Sequence, residues 1–149
     1  MARIKGTNFA DDIQGTDGDD VIYGLAGNDI IRASAGDDYI NGGDGDDTLN
    51  GGGGVDTATY IDAIKGVKVD LNLTTQQNTV GAGKDILTGI ENLTGSTFND
   101  TLTGDGNVNR LDGGLGNDKL FGQGSDDQLT GGDGNDTLDG GIGKDILSG

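Results

Sequence analysis

The sequence predicts an all-β fold in which short parallel strands stack into a solenoid. Three observations predict it: a nine-residue phrase recurs along most of the 149 residues, glycine occupies 32 positions, and one apolar residue returns at a fixed place in each phrase. Self-similarity at a fixed period is the signature of a repeat architecture. The copies that begin at Gly42 and Gly131 read GGDGDDTLN and GGDGNDTLD, and we number the positions of each copy one to nine.

The copies form two blocks of one design. After a lead-in of residues 1–5, six copies fill residues 6–59, and six more occupy the final segment, 95–149. Both blocks open with a copy that carries phenylalanine at position four, Phe9 and Phe98, where later copies mostly carry glycine. Because Gly149 would open another copy, we expect the chain to be a fragment of a longer array.

Each copy divides into a turn and a strand. Glycines at positions one, two and four allow positive φ and close backbone approach, so six residues can turn tightly. Position eight is apolar, as in Ile22, Leu49 and Leu120, and its neighbours are mixed and often polar. This period of two is typical of a short strand with one buried face. Two copies then form one coil of 18 residues. Stacked coils give two short parallel sheets, with turns along both edges.

Residues 60–94 interrupt the phrase. Val67, Val69, Leu71 and Leu73 alternate with polar residues, which predicts a strand longer than those of the repeats. Residues 83–88 (GKDILT) recover the second half of a copy, and residues 89–94 (GIENLT) resemble a shortened one. We expect this insert to continue the solenoid or to pack on it. A linker between two independent solenoids is the alternative.

The composition favours cations as partners. Nine basic residues stand against 26 acidic ones, and the net charge of −17 repels nucleic acid and anionic membranes. The absence of cysteine and histidine excludes disulfides, thiolate metal sites and the commonest general base. No apolar run is long enough to span a membrane. We expect a monomer with no nucleic-acid partner and no membrane insertion.

No catalytic site is expected in this chain. Neighbouring carboxylates such as Asp46 and Asp47 resemble the acid/base pairs of glycosidases. They enter a strand on opposite faces, however, and the pair recurs with the repeat. The sequence therefore predicts a protein that is not an enzyme.

The turns predict calcium sites. Calcium takes six to eight oxygen ligands and accepts backbone carbonyls together with carboxylates. Stacking brings the position-six aspartates of every second copy to adjacent coils, as in Asp29 with Asp47; Asn109 replaces one aspartate and should weaken its pair with Asp127. The predicted carboxylate ligands are Asp11, Asp20, Asp29, Asp38, Asp47, Asp56, Asp85, Asp100, Asp118, Asp127, Asp136 and Asp145. The predicted carbonyl ligands lie around Gly18, Gly27, Gly36, Gly43, Gly45, Gly52, Gly54, Gly114, Gly116, Gly132, Gly134, Gly141 and Gly143.

These pairs predict about eight calcium ions, which would nearly neutralise the chain. One buried Leu or Ile per copy offsets little of the entropy lost when nine residues are ordered. Stacked aspartates without cations would add repulsion. We therefore expect a largely disordered metal-free chain that folds as calcium binds.

The phrase GGxGxDxUx resembles the repeat of RTX (repeats-in-toxin, haemolysin-type) calcium-binding proteins. Five copies have the complete GGxGxD turn, and the resemblance covers about three quarters of the chain. It implies a right-handed parallel β-roll with calcium-binding turns on both edges. It further implies a bacterial protein that is secreted by type I export and folds in extracellular calcium, where the roll supports the folding and stability of a larger exoprotein.

A second function stays open beside it. The chain could be the calcium-dependent polysaccharide- or surface-binding repeat module of an RTX enzyme, for instance an alginate-modifying one, or of an adhesin. Tyr23, Tyr39 and Phe121 fall at outward positions, where they either form a sugar-binding strip or, as we expect, cover the sheet surface or the insert.

Overall fold

A computed structural model describes residues 1–149 and contains 17 strands and no helix. In chain order the strands are β1 (Ala2–Lys5), β2 (Asp12–Gln14), β3 (Asp20–Ala26), β4 (Ile30–Ala35), β5 (Tyr39–Asp44), β6 (Thr48–Gly53), β7 (Thr57–Thr59), β8 (Lys68–Asp70), β9 (Gln77–Asn78), β10 (Lys84–Thr88), β11 (Asn92–Thr94), β12 (Thr101–Thr103), β13 (Arg110–Leu115), β14 (Lys119–Phe121), β15 (Gln128–Asp133), β16 (Thr137–Asp139) and β17 (Ile146–Ser148). The predicted all-β class is confirmed. The structure has no helix that is long and apolar enough to cross a membrane.

One face of the solenoid is a continuous sheet. Eight parallel strands follow one another in the order β1-β3-β5-β7-β11-β13-β15-β17. Within each block the partners lie 18 residues apart, as in Ile22 beside Ile40 and Leu111 beside Leu129. This offset is the predicted coil of two copies, and it confirms the parallel solenoid.

The opposite face is divided into two sheets. One has the order β2-β4-β6-β10-β9 and the other the order β16-β14-β12-β8. No strand of the first pairs with a strand of the second. The sequence predicted two parallel sheets, and the structure divides the second of them where the insert enters.

The position-eight side chains form the core between the two faces. Ile22, Ile31 and Ile40 are completely buried in the first block, and Leu102, Leu111 and Leu120 in the second. This placement follows the predicted alternation along each strand. The last coil departs from it, because no further coil covers Leu147, whose side chain is 48% exposed.

The insert stacks on both blocks. Its strand β11 pairs with β7 of the first block and with β13 of the second, so the continuous sheet runs through it. Strand β10 adds to β6, and β8 adds to β12. The prediction of a longer strand at residues 67–73 is wrong. Only Lys68–Asp70 are extended, because a turn closes where the Leu73 N–H donates to the Asp70 carbonyl oxygen at 3.2 Å.

Candidate metal centre

The turn before each strand places its position-six carboxylate against the backbone of the preceding coil. The Asp29 N–H donates to Asp47 Oδ1 at 2.9 Å, and the Asp38 N–H donates to Asp56 Oδ1 at 2.9 Å. The second block repeats the contact, for instance from the Asp118 N–H to Asp136 Oδ1 at 2.9 Å. The predicted carboxylates are thus aligned in ladders along the edges. Each of these contacts occupies only one of the two carboxylate oxygens.

The second oxygen of most of these carboxylates has no partner. Seven Oδ2 atoms are buried and accept no hydrogen bond, those of Asp29, Asp38, Asp47, Asp56, Asp118, Asp127 and Asp136. A buried charged oxygen without a donor is costly, and native structures seldom leave one. A row of such oxygens therefore fits a site whose missing partner is a cation.

Backbone carbonyl oxygens converge on the same places. A Cβ atom added to Gly24 would lie 2.3 Å from Asp29 Oδ2 and 2.3 Å from the carbonyl oxygen of Gly42, one coil further on. At Gly113 the corresponding distances are 2.3 Å to Asp118 Oδ2 and 2.7 Å to the Gly131 carbonyl oxygen. At these two turns a side chain at position one would fill the cradle, whereas Ala33 occupies position one in the turn of Asp38. No three acidic side chains gather at one point, so a cation here would be held by a carboxylate pair and by carbonyls, which is a donor set that calcium accepts.

The turn glycines adopt the backbone conformation that aims these carbonyls. Of the thirteen predicted turn glycines all but Gly18 have positive φ. Three other residues at position two share this left-handed conformation: Leu25 (φ 88°), Ser34 (φ 96°) and Gln123 (φ 79°). Such a conformation is costly for a residue with a Cβ. These turns thus keep the shape of the glycine turns in spite of their sequence.

In four other turns the side-chain oxygen at position six accepts hydrogen bonds from donors of the protein itself. The Thr16 N–H and Oγ1 donate to Asp20 Oδ2 at 2.7 and 2.9 Å. The equivalent N–H groups donate in the turns of Thr7 to Asp11, Ser96 to Asp100 and Asp105 to Asn109. None of these position-two residues has positive φ. We call these four the self-capped turns. They are the first two turns of each block, and they lack the free oxygen of the other turns.

Asp85 is also satisfied by the protein. Its Oδ1 accepts the Asp47 N–H at 3.1 Å, and its Oδ2 accepts the hydroxyls of Tyr60 at 3.2 Å and Thr79 at 3.1 Å. It therefore continues the ladder as a hydrogen-bond acceptor. The free oxygen at this step is Asp47 Oδ2.

Sequence reasoning missed two features of the edges. Position-five side chains form a second ladder with the opposite direction, since the Asp37 N–H donates to Asp19 Oδ1 and the Asn117 N–H donates to Asn99 Oδ1. The recurrence of Asp and Asn at position five was the available signal. The second feature is Glu91, which takes position six in the shortened copy and was identifiable from its place two residues before the inward Leu93.

Burial raises the pKa of the ladder carboxyls. Desolvation is the main cause, and it raises the pKa of Asp47 to about 7 and that of Asp118 to about 6. The carboxylates of neighbouring coils add to both shifts. The pKa of Asp20 moves the other way, because the Thr16 N–H stabilises its charge. We call the turns of the seven carboxylates with an unpartnered Oδ2 the open turns. Their charge is left without compensation by the protein, whereas the charge of the self-capped Asp20 is compensated.

Gln123→Gly should stabilise the protein by about 1 kcal/mol, because glycine removes the strain of a positive φ at a side chain that is exposed and makes no hydrogen bond. Thermal unfolding in saturating calcium measures the change. Gln128→Gly is the matched control: it lies in strand β15 and should be destabilising. Equal effects of the two variants would contradict the strain at Gln123.

The comparisons with known proteins agree with this geometry. A family model described as the RTX calcium-binding nonapeptide repeat matches four stretches, residues 5–34, 25–58, 85–120 and 121–149. Together they span well over half of the chain. A search of curated proteins found no match.

Proposed function

This chain belongs to the family of RTX calcium-binding nonapeptide repeats, and we propose that its β-roll is a module that folds on binding extracellular calcium and supports the folding and stability of a larger exported protein. Calcium binding and the β-roll come with the family. Coupled folding, export and the larger protein are the proposed part. Multiple calcium ions are its cofactors and partners, and the module is a monomer.

The row of unpartnered Oδ2 atoms carries this proposal. The chain has 26 acidic residues, yet its one ion pair joins Arg32 to Asp12 at the surface. The seven buried oxygens therefore have neither a hydrogen-bond donor nor a basic side chain to compensate them. These uncompensated charges destabilise the metal-free fold, so calcium binding and folding would occur as one event.

The hydrogen bonding of the turns supports fewer calcium ions than the number of aspartate pairs in the sequence predicts. Of the seven unpartnered carboxylates, only Asp136 has no coil after it in the stack. We therefore propose about six calcium ions, at Asp29, Asp38, Asp47, Asp56, Asp118 and Asp127. The four self-capped turns would stay without an ion of their own.

Export by a type I pathway follows from the same coupling. A chain that stays unfolded at low calcium could be threaded outward and would fold only outside the cell. The absence of cysteine removes any dependence on disulfide formation. We propose a secreted bacterial protein in which any catalytic activity belongs to another domain.

Calcium titration by circular dichroism tests the proposal. We expect an unordered spectrum in excess chelator and a cooperative rise of strand signal with calcium, accompanied by the binding of about six ions in calorimetry. Magnesium at the same concentration is the control and should not induce folding, because it demands octahedral geometry and retains its water. A full strand signal in excess chelator would contradict coupled folding.

A cavity favours a second candidate function, calcium-dependent polysaccharide binding. It has a volume of about 270 Å³ on the outer side of the continuous sheet and is lined by Tyr23, Asn41, Asp44, Tyr60 and Asp62 among others. An aromatic ring beside several polar groups suits a sugar. The sugar-binding strip is not formed, however, because Phe121 lies in β14 on the opposite face from Tyr23 and Tyr39. Binding of alginate and neutral glycans to wild type and to Tyr23→Ala, each with and without calcium, would test this function.

A further inference from the structure

Glu91 is the only glutamate among the 26 acidic residues, and it lies at the junction of the two blocks. In the shortened copy only three residues, 89–91, precede the three strand positions 92–94, where a regular copy has six. The Asp56 N–H donates to Glu91 Oε2 at 2.8 Å, which is the contact that a position-six aspartate makes in other coils. Glu91 therefore continues the ladder on the edge before the continuous sheet.

The oxygens at this junction match those of a regular open turn. Asp56 is completely buried and its Oδ2 has no partner. A Cβ atom added to Gly51 would lie 2.4 Å from this oxygen and 2.0 Å from the carbonyl oxygen of Gly89. At Gly24, in a regular coil, the same construction finds a carboxylate and a carbonyl oxygen at 2.3 Å each. The shortened turn thus supplies the carbonyl that a full copy would supply.

We infer that Glu91 completes a calcium site with the turn Gly51–Asp56, and that the ion bound there joins the two repeat blocks. The ligands from this chain are the carboxylates of Asp56 and Glu91 and the carbonyl oxygen of Gly89. The inference rests on the proposed function, since it takes calcium to be the ion of the open turns.

A simpler role for Glu91, as a cap for the Asp56 N–H, leaves the buried Asp56 Oδ2 without a partner. No basic side chain forms an ion pair with either residue. Two carboxylates that face each other without a cation repel each other.

The contact between Glu91 and the following coil is made by the side-chain amide of Asn109, where the open turns would hold an ion. Asn109 Nδ2 donates to the Glu91 carbonyl oxygen at 2.8 Å, and its Oδ1 accepts the Asp105 N–H at 2.7 Å. An aspartate at this place would have no such donor. The Glu91 ion is therefore the last one before a hydrogen-bonded step that leads into the second block.

This edge is where metal-binding turns of the two blocks can be coupled. On the other edge the insert separates β10 from β8, and no strand pairs across the gap. Along the continuous sheet Asp56 of the first block is followed directly by Glu91 and then by Asn109 of the second. Loss of the Glu91 ion should therefore uncouple the blocks without unfolding either one.

Glu91→Gln tests the inference, because glutamine keeps the hydrogen-bond acceptor and removes the charge. We expect calorimetry to find one ion fewer per chain than in wild type, or a Kd at that site raised at least about tenfold. Asp112→Asn is the matched control; it makes the same charge change in strand β13, outside the turns, at a side chain without hydrogen bonds, and should bind as wild type does.

Uncoupling has a separate readout. Tyr23 and Tyr39 lie in the first block and Tyr60 directly follows it, so tyrosine fluorescence reports on the part of the chain before the second block, and circular dichroism on both blocks. In wild type the two signals should change together during calcium titration, and in Glu91→Gln they should separate. Glu91→Asp keeps the charge on a shorter side chain and should regain the ion at an intermediate midpoint.

The outcomes distinguish this inference from the proposed function. Full ion count and coincident signals in Glu91→Gln, beside a wild type that folds with calcium, would overturn the inference and leave the proposed function standing. The inference also fails if Glu91→Asp behaves like Glu91→Gln in count and midpoint, because packing at residue 91 would then carry the effect. A wild type that binds no calcium would overturn both.

Discussion

Asp47→Ala is expected to raise the calcium concentration at the folding midpoint by at least about tenfold and to lower the Hill slope, whereas Asp11→Ala should shift the midpoint by less than about twofold. Asp47 is buried, and its Oδ1 accepts the Asp29 N–H while its Oδ2 has no partner. Alanine at this place removes a calcium ligand and the hydrogen bond from the Asp29 N–H, in a turn that has a coil on each side. Asp11 is partly exposed, and its Oδ2 is already held by Thr7.

Circular dichroism during calcium titration measures both variants under the same conditions. Asp47→Asn separates the two losses at Asp47, because asparagine can still accept the Asp29 N–H while its charge is gone. We expect it to lie between wild type and Asp47→Ala. Equal midpoints and Hill slopes for the alanine variants at 47 and 11 would contradict the distinction between open and self-capped turns.

Acidification should partly replace calcium in the metal-free chain. Burial raises the pKa of Asp47 to about 7 and those of Asp56, Asp85 and Asp118 to about 6, from an ordinary value of 3.8. The folded chain then binds these protons more tightly than the unfolded chain does. Its stability therefore rises as the pH falls through about 7 towards 4.

The measurement is the strand signal in excess chelator between pH 8 and pH 5. We expect the signal to grow as the pH falls, and the calcium midpoint of the same protein to rise, because protons and calcium compete for the carboxylates. Asp47→Asn should show strand signal at a higher pH than wild type, since its most strongly shifted group is already neutral. If the strand signal in excess chelator does not change with pH, buried carboxylate charge is not what destabilises the metal-free fold.

The regular part of the fold was predictable because residues of similar character recur at the turn, ligand and core positions of the repeat. Ile22, Leu49 and Leu120 identify the buried face, and the alternation around them identifies strands. Spacing alone then paired Asp29 with Asp47, since a coil of two copies brings them to one edge. Both predictions use local patterns that every coil repeats.

Whether a turn is open or self-capped was harder to predict from the sequence. Thr16 and Leu25 both replace glycine at position two, yet the Thr16 turn is self-capped and Leu25 keeps positive φ. The difference lies in stacking: the Leu25 carbonyl oxygen faces Gly43 of the next coil, where an added Cβ would lie 1.9 Å away. The Thr16 turn lies near the start of its block, where regular stacking begins. Neighbouring coils thus decide the conformation of the turn, and the residues of a single copy do not reveal them.

The insert was hard to predict for a similar reason. Val67 and Val69 are buried as expected, but the strand ends at Asp70, where the chain turns towards Leu73. Glu91 lies 35 residues after Asp56 in the sequence and one step after it in the ladder. No local pattern reports that a segment of this length returns to the same edge.

The coil of 18 residues has a consequence for how such chains change length in evolution. Loss or duplication of one nonapeptide would transfer every downstream strand to the opposite face, and the two ladders would exchange their members. Loss or duplication of a pair keeps every strand on its own face. Gene rearrangements should therefore be tolerated when they add or remove two copies. A change of a single copy should require an irregular segment that returns the following strands to their original face. The junction at Glu91 has the form of such a compensation, since its shortened copy restores the frame of the continuous sheet while the other face is broken.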